Sequence, residues 1–246
     1  MPAAAVLALT RAKSYPFDIP ARSYVYANGA YEELAPCSPM PDVSGRRAVL
    51  AVGSNQSPGQ LGRKFKGPDW GPIPVIRASL ADFDIVYSAH IASYGSIPST
   101  LHHCPGTQAS LFVNWLTPDQ ESHMHETEVS TGNYHFGILK GIDLRLDGGL
   151  ALSSVYMYSS RRGALAHGGL PVALSEITTE GRRWPSLGQE EIQGHVRDRT
   201  QPGQPVDKFI LSTIADEKIR GDRTRMLKEE SLQFNYPDFT RMELSS

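Results

Sequence analysis

The sequence has little of what marks a secreted, membrane-embedded or nucleic-acid-binding protein. Its 246 residues include two cysteines, Cys37 and Cys104, which could pair but are too few for a disulfide framework. No apolar run approaches the length of a membrane span, and the Ala-rich N-terminus lacks the basic start and long apolar core of a signal peptide. The net charge of −2 provides no basic excess for nucleic acid or an anionic membrane surface. We therefore expect a cytoplasmic protein with no nucleic-acid and no membrane partner.

Changes in composition divide the chain into three segments. A hydrophobic content of 40% and a charged content of 20% are typical of a globular protein, and the chain is long enough to bury a full core. Residues 1–46 hold five prolines between positions 16 and 41, with aromatic residues among them, which excludes a long helix. This pattern predicts an N-terminal extended arm, with one strand at Ser23–Tyr26, that lies against the body. Residues 47–185 are the predicted barrel domain, and residues 186–246 are a helical extension.

Short apolar runs in the middle segment predict strands at Ile73–Ile76, Asp84–Ala89, Ser110–Trp115, Tyr134–Lys140 and Ser153–Tyr158. Turn residues separate these strands, most clearly at Cys104-Pro105-Gly106-Thr107 and next at Asp147-Gly148-Gly149. Several short strands with few long helices predict an α+β fold, in which a small β-barrel or a strongly curved mixed sheet carries flanking helices.

Three helices are predicted after residue 115. Thr117 is a good N-cap, and Pro118 a good first residue, for a helix that runs to about Thr127. In the C-terminal segment, Gln189–Arg199 and Asp216–Glu230 read as helices that are charged on one side, with a Pro- and Gly-containing break between them. These helices would cover the barrel or form a subunit contact, so a homo-oligomer is one possibility.

The apolar run Ala48–Val52 leads directly into Gly53-Ser54-Asn55. This order predicts a buried strand followed by a tight turn, in which Gly53 can take backbone angles that a side chain would forbid. Ser57 and Pro58 are typical of a helix start just beyond the turn. Backbone N–H groups at such a turn have no intrahelical partner and can bind anions or carbonyl oxygens. An ordinary strand-to-helix turn would have the same sequence pattern.

The densest polar cluster is His123-Met124-His125-Glu126-Thr127-Glu128, at the end of the helix predicted to begin after Thr117. Its simplest interpretation is a solvated helix end. A metal site that also uses His102, His103 and Cys104 is a second interpretation, because imidazole, thiolate and carboxylate are all metal ligands. The spacing argues against it, since Val129 stands where the zinc-protease helix pattern needs a second histidine. We therefore expect no metal and no cofactor.

A single catalytic carboxylate facing the Gly53 turn is the third interpretation. A carboxylate in the mouth of a barrel can take and return a proton, while the N–H groups of the turn hold the negative charge that develops on a carbonyl. A nucleophile supplied by the substrate would make a catalytic Ser or Cys unnecessary. Ser54 is a weaker candidate nucleophile because no Gly-x-Ser-x-Gly elbow surrounds it.

Four short stretches follow one another in an order and spacing typical of one known family. The family's Tyr-Gly-Ser-Asn strand end, with Pro and Leu shortly after, is matched by Val52-Gly53-Ser54-Asn55, Pro58 and Leu61. Its later glutamate, followed by Gly and Tyr, is matched loosely by Glu128, Gly132 and Tyr134. Between them, its second strand and its Thr-Leu strand with a Pro-Gly turn are similar to residues 78–87 and 99–106. Over residues 47–160 the chain thus resembles the γ-glutamylcyclotransferase-like (butirosin-cyclotransferase-like) proteins.

The resemblance implies a barrel of that type and a small-molecule amide or γ-glutamyl substrate. Glu128 would take a proton from the substrate's α-amine, which attacks its own γ-carbonyl and closes a five-membered lactam. Val52, Gly53, Ser54, Asn55 and Tyr134 would bind the substrate. The sequence departs from the motif at Val52, His125 and Val129, where the family has Tyr, Asp and Gly.

Several alternatives remain open. Glu126 is two residues from Glu128, so the two carboxylates point to different sides and only one can face the site. Glu128 is preferred because of its separation along the sequence from Gly132 and Tyr134, which match the Gly and Tyr of the family motif. Tyr94-Gly95-Ser96 is interpreted as a loop that lines the same mouth. The reaction could also be amide hydrolysis by water, or the protein could be a non-catalytic module that binds a small ligand or a protein.

Overall fold

The computed structural model describes residues 1–36, 38–67, 69–129 and 132–243. Cys37, one of the two cysteines considered for pairing, lies outside the described residues, as do Ser130 and Thr131 of the resemblance motif. Within these ranges there are six α-helices: α1 (Ala3–Lys13), α2 (Pro58–Lys64), α3 (Pro118–Glu128), α4 (Gln189–Thr200), α5 (Val206–Ala215) and α6 (Glu217–Lys228). None of these helices is both long and apolar enough to cross a bilayer.

The strands of the described residues are mostly short, and five of them are long enough to build a barrel. They are β1 (Tyr24–Ala27), β2 (Ala30–Glu33), β3 (Arg47–Ala51), β4 (Ile73–Tyr87), β5 (Ser99–Leu116), β6 (Tyr134–Leu146), β7 (Ala151–Ser160), β8 (Ala166–His167), β9 (Leu170–Pro171), β10 (Ala173–Leu174), β11 (Thr179–Glu180), β12 (Ser186–Leu187) and β13 (Phe239–Arg241).

The barrel is closed by five strands in the order β5-β3-β7-β6-β4, because β4 also pairs with β5. The pairs are antiparallel except for β3 and β7, which run parallel with Val49 opposite Tyr156. Alternating apolar residues of these strands point inward and form a buried core, with Leu50, Leu111 and Met157 among its members. The fold is therefore mixed α+β around a small β-barrel, as the sequence predicts.

The turn predicted at Cys104-Pro105-Gly106-Thr107 is wrong, since these residues lie inside β5. They form a bulge opposite Asp82, where the register between β4 and β5 shifts. Gly106 has a φ of +81°, which suits glycine, and its N–H donates to the Asp82 carboxylate at 2.7 Å. The four residues are thus part of one long strand. The turn at Asp147-Gly148-Gly149 is confirmed between β6 and β7.

The prediction of an extended N-terminal arm is wrong for the first residues of the chain. Residues 3–13 form α1, because the segment is rich in Ala and Leu and the five prolines begin only at position 16. The expected strand is present as β1, and it extends the barrel sheet by pairing with β4. Leu9 and Ala12 of α1 belong to the same hydrophobic core as the barrel.

The C-terminal segment is helical, as predicted, but it contains one more helix than expected. The predicted helices correspond to α4 and α6, and α5 lies between them. Gln193 of α4 links the terminal segments by donating to the carbonyls of Ala12 and Gly95, at 3.0 and 2.9 Å. Ile192, Phe209 and Leu227 join the core of the barrel. The boundaries at residues 47 and 186 stay predictions.

Candidate functional site

A cavity of about 950 Å³ opens where β3 ends, and residues from both ends of the chain help to line it. Its walls come from the turn after β3, from α2, from the end of α3 and from the start of β6. The loop between β4 and β5, α1 and α6 complete them. All six residues that the sequence singles out line this cavity: Val52, Gly53, Ser54, Asn55, Glu128 and Tyr134. The structure therefore brings them together, and their roles remain predictions.

The turn after β3 has the predicted order of strand, turn and helix. Gly53 precedes a single turn of 3₁₀-helix at Ser54–Gln56, and α2 begins at Pro58. Ser57 occupies the N-cap position of α2, but its side chain makes no capping hydrogen bond. A β-carbon at Gly53 would overlap the hydroxyls of Tyr15 and Ser99, so glycine is required here by close approach.

Three side chains from outside hold the turn in place. Asn114 Nδ2 of β5 donates to the Asn55 carbonyl at 3.2 Å, and Tyr24 Oη of β1 donates to the Gln56 carbonyl at 2.8 Å. Ser99 Oγ donates to the Val52 carbonyl at 3.2 Å. Ser99 is itself held by Tyr15, whose Oη accepts from the Ser99 N–H at 2.9 Å and shares a hydrogen bond with Ser99 Oγ at 2.8 Å. These contacts fix the backbone of the turn before any ligand binds, which is the preorganisation that charge stabilisation needs.

Glu128 is the last residue of α3, and it reaches the turn because of how that helix begins and packs. Thr117 and Gln120 form a capping box, which confirms the predicted helix start. Met124 is buried under the helix, and Glu128, four residues later, lies on the same face. Its carboxylate accepts a hydrogen bond from Asn55 Nδ2 at 2.9 Å and forms an ion pair with Lys64 of α2.

The two carboxylates near the end of α3 are placed differently. The side chain of Glu128 is 16% exposed, whereas that of Glu126 is 72% exposed and contacts His123 Nδ1 at 3.1 Å. Glu126 is not among the residues that line the cavity. The geometry therefore leaves Glu128 as the candidate carboxylate of the site.

Tyrosines form the floor of the cavity next to the turn. Tyr134 Oη donates to the Ser99 carbonyl at 3.3 Å, and its ring lies edge-on to His90. Burial raises the pKa of Tyr134 well above its usual value, and the neighbouring Tyr15 adds to this shift. Burial likewise raises the pKa of Tyr15. Both phenols are therefore neutral hydrogen-bonding groups at physiological pH.

His90 is a buried histidine on the cavity wall. It is 2% exposed, and burial, together with the nearby Arg162, lowers its pKa to about 3. Its Nδ1 shares a hydrogen bond with Ser88 Oγ at 2.7 Å, and Ser88 continues the chain to Ser160 Oγ at 2.6 Å. The imidazole is thus neutral and held in one orientation beside Tyr134.

The sequence did not indicate Tyr15, Lys64 or Ser99 as site residues. Tyr15 follows α1 and contacts Ser99, which lies 84 residues later in the sequence. A local sequence pattern cannot predict a contact between residues so far apart in the chain. Lys64 is recognisable only as a basic residue in the last turn of α2. Tyr94, by contrast, lines the cavity as predicted for its loop.

Two of the four histidines considered for metal binding, His123 and His125, have other hydrogen-bond partners. His123 Nε2 bonds to the Lys64 carbonyl at 2.8 Å, and His125 Nδ1 bonds to Tyr158 Oη at 2.7 Å. Within the described part of the chain, no three side chains of His, Cys, Asp or Glu are grouped as a metal site requires. The side chains that line the cavity supply carboxylate, phenol, imidazole, guanidinium and ammonium groups.

Neither a family model nor a curated protein matches the sequence. Among solved structures, the chain is similar to a gamma-glutamyl cyclotransferase, with 15% identity and a TM-score of 0.36 over 46% of this chain and 66% of that one. It is also similar to a protein of Arabidopsis thaliana, with 15% identity and a TM-score of 0.36 over 49% and 72% of the two chains. An uncharacterized human protein has 13% identity and a TM-score of 0.38 over 48% and 70%. These similarities concern the fold, and the activity named for the first structure is that protein's own.

Proposed function

We propose that the protein is a cytoplasmic cyclotransferase-like enzyme that cleaves an amide or isopeptide bond of a γ-glutamyl-type substrate. The observation that carries the proposal is the contact between the Glu128 carboxylate and Asn55 Nδ2, at 2.9 Å, inside the cavity. A candidate general base and a turn with N–H donors thereby face one space. This is the arrangement that intramolecular attack of an amine on a carbonyl requires.

In the proposed reaction, Glu128 takes a proton from the α-amine of the substrate. The amine nitrogen forms a bond to the γ-carbonyl carbon, and the oxygen becomes an oxyanion near the N–H groups of Gly53, Ser54 and Asn55. The bond to the leaving amine then breaks, and Glu128 returns the proton to that amine. The products are a five-membered lactam and a free amine, so atoms and charge balance without a cofactor. Attack within one molecule avoids the entropy of bringing two reactants together.

The neutral side chains around the turn have supporting roles in this proposal. Tyr134 and Val52 contact the substrate, and Tyr15 keeps Ser99 and Gly53 at their close approach. Lys64 orients the Glu128 carboxylate through their ion pair. The α-amine of a bound substrate would lie beside the same carboxylate, which places the proton to be removed next to its acceptor.

A second candidate function is supported by the same ion pair. A carboxylate held by Lys64 and Asn55 is already satisfied, so it can serve as a structural part of a ligand-binding module rather than as a base. The departure from the family motif at Val52 is consistent with such a module. Hydrolysis, with water in place of the substrate amine, would use the same carboxylate.

The test is Glu128→Gln, compared with Glu126→Gln as the matched control. Mass spectrometry would follow γ-glutamyl amines, γ-glutamyl dipeptides and acyl-amides for release of a lactam or a free acid. We expect Glu128→Gln to lower turnover by a factor of about 10² to 10⁴, the range for loss of a general acid-base group, while Glu126→Gln retains it. Binding of substrate should survive in both variants.

Three outcomes separate the candidates. Release of a lactam that depends on Glu128 supports the cyclotransferase, and release of a free acid without a lactam supports the hydrolase. Binding without turnover in the wild-type protein supports the module. Full turnover by Glu128→Gln would contradict any role for this carboxylate in proton transfer.

A further inference from the structure

One face of α6 contributes a row of side chains to the cavity. The contributing positions are 217, 220, 221, 224, 225 and 228, which are spaced as one face of a helix. Arg220, Arg225 and Lys228 give this face its charge, with Glu217 at its N-terminal end. The C-terminal extension therefore reaches the same space as Glu128 and the Gly53 turn.

The cavity is far more basic than the protein as a whole. Seven arginines and lysines line it, together with two carboxylates among the described residues, although the whole chain has a net charge of −2. The other four cations are Arg11 of α1, Arg63 and Lys64 of α2, and Arg162 after β7. Positive charge concentrated in a concave site raises the local concentration of anions.

Three of these seven cations are oriented by contacts that leave their charge in place. Arg11 lies over the ring of Tyr94 and Arg63 over the ring of Phe17, at 4.6 and 4.4 Å from the centroids. Arg220 Nη1 donates to the Thr213 carbonyl at 3.0 Å. Aromatic rings and carbonyls position a guanidinium without neutralising it.

Two of the seven cations form ion pairs with carboxylates of the described residues. Lys64 pairs with Glu128, and Arg225 pairs with Asp222 at 3.0 Å. The second pair is exposed, with 73% of the Arg225 side chain and 49% of the Asp222 side chain in contact with solvent. Such surface pairs are weak, so an incoming anion can replace Asp222 as the partner of Arg225.

We propose that the substrate is a multiply charged anion, in which the group released as the amine carries at least two negative charges, as carboxylates or as phosphate. This inference rests on the proposed function, because the γ-glutamyl end must lie at Glu128 and Gly53 for the rest of the molecule to meet α6. The cations are confined to a cavity of about 950 Å³, which fits a small molecule better than a polymer.

The experiment compares three γ-glutamyl peptides that differ in the released amine: alanine, glutamate and phosphoserine. Calorimetry would measure their affinities for full-length Glu128→Gln protein, which is expected to bind without turnover. We expect the glutamate and phosphoserine peptides to bind at least about tenfold more tightly than the alanine peptide, as one further charge-assisted contact provides. The preference should shrink as the salt concentration rises. The ratio between the glutamate and phosphoserine peptides distinguishes carboxylate from phosphate.

The charge of α6 is tested by adding Arg225→Gln and Lys228→Gln to this protein. Both side chains are exposed, so the fold should tolerate the change, and the preference should fall to about threefold or less. Arg220→Gln is a second variant with the same expected direction. Lys218→Gln, an exposed lysine of α6 outside the cavity, is the matched control and should leave the preference unchanged.

The possible failures are distinguishable. Equal affinities for the three peptides, no detectable binding of any of them, or a preference that survives loss of the α6 cations would overturn the inference. If wild-type protein releases lactam equally well from all three, the proposed reaction stands and the anionic substrate does not. If the anionic peptides bind selectively and no lactam forms, the anion site stands and the reaction does not.

Discussion

The two walls of the cavity differ in how their polar groups are held. On the barrel side, Glu128 contacts both Asn55 and Lys64, and the side chains of Glu128 and Lys64 are 16% and 8% exposed. On the α6 side, Arg225 is 73% exposed, and its partner is a surface carboxylate. A partly buried polar group must be paired to be tolerated, whereas an exposed one needs no partner. Changes on the barrel side should therefore alter stability, and changes on the α6 side should alter ligand binding alone.

The largest loss of stability should come from Gly53→Ala, on the barrel side. The new methyl group would overlap the hydroxyls of Tyr15 and Ser99, so the turn or the N-terminal segment must move. We expect a loss of about 3 kcal/mol of unfolding free energy, the upper range for overpacking, measured by urea denaturation.

A second variant sharpens this prediction. Tyr15→Phe removes one of the two overlapping hydroxyls and also two hydrogen bonds to Ser99. The double variant Gly53→Ala/Tyr15→Phe should lose less stability than the sum of the two single changes, because they relieve the same contact. Strict additivity would contradict the close approach of Tyr15 to Gly53.

The barrel side is also where the sequence was most informative. The β3 strand, Gly53 and the start of α2 follow local rules, and so does the Thr117 capping box that begins α3. These signals lie within a few residues of the structure that they specify. They sufficed to predict that Glu128 and the Gly53 turn would meet, given the family resemblance.

The other wall could not be predicted in the same way. The helix α1 was missed because the proline argument was applied to residues that precede the first of the five prolines. The α6 helix was predicted, but nothing in its sequence indicates which of its faces lines a cavity. Likewise, the contact of Tyr15 with Ser99 depends on the packing of α1 against the barrel, which is a property of the whole fold.

An intermediate effect on stability is expected from replacing His90, a buried residue of the cavity wall. Its pKa is lowered from 6.5 to about 3 in the folded protein, so below pH 6.5 the unfolded chain binds a proton that the folded protein does not. Stability is therefore lost as the pH falls from 6.5 towards 3. Removing this group with His90→Asn should make stability less sensitive to acid.

The measurement is urea denaturation of wild type and His90→Asn at pH 7 and pH 5. The stability difference between the two proteins should shift in favour of the variant by about 2 kcal/mol on going to pH 5. Arg162, Ser88 and Tyr134 face the imidazole and are unchanged in the variant, so the comparison isolates the histidine. Parallel pH dependence of the two proteins would show that His90 is protonated in the folded state.

The smallest effect on stability is expected from Arg225→Gln/Lys228→Gln in otherwise wild-type protein. Both side chains are exposed, and the one carboxylate paired with Arg225 is itself half exposed, so the unfolding free energy should change by less than about 0.5 kcal/mol. Lys64→Gln is the matched change on the barrel side, since it removes a cation that is 8% exposed and leaves Glu128 without its ion pair. That variant should lose clearly more stability, because a partly buried carboxylate loses the cation with which it forms an ion pair. Equal losses for the two variants in the same denaturation experiment would show that the walls are held alike, and that the charge of α6 belongs to the fold rather than to a ligand.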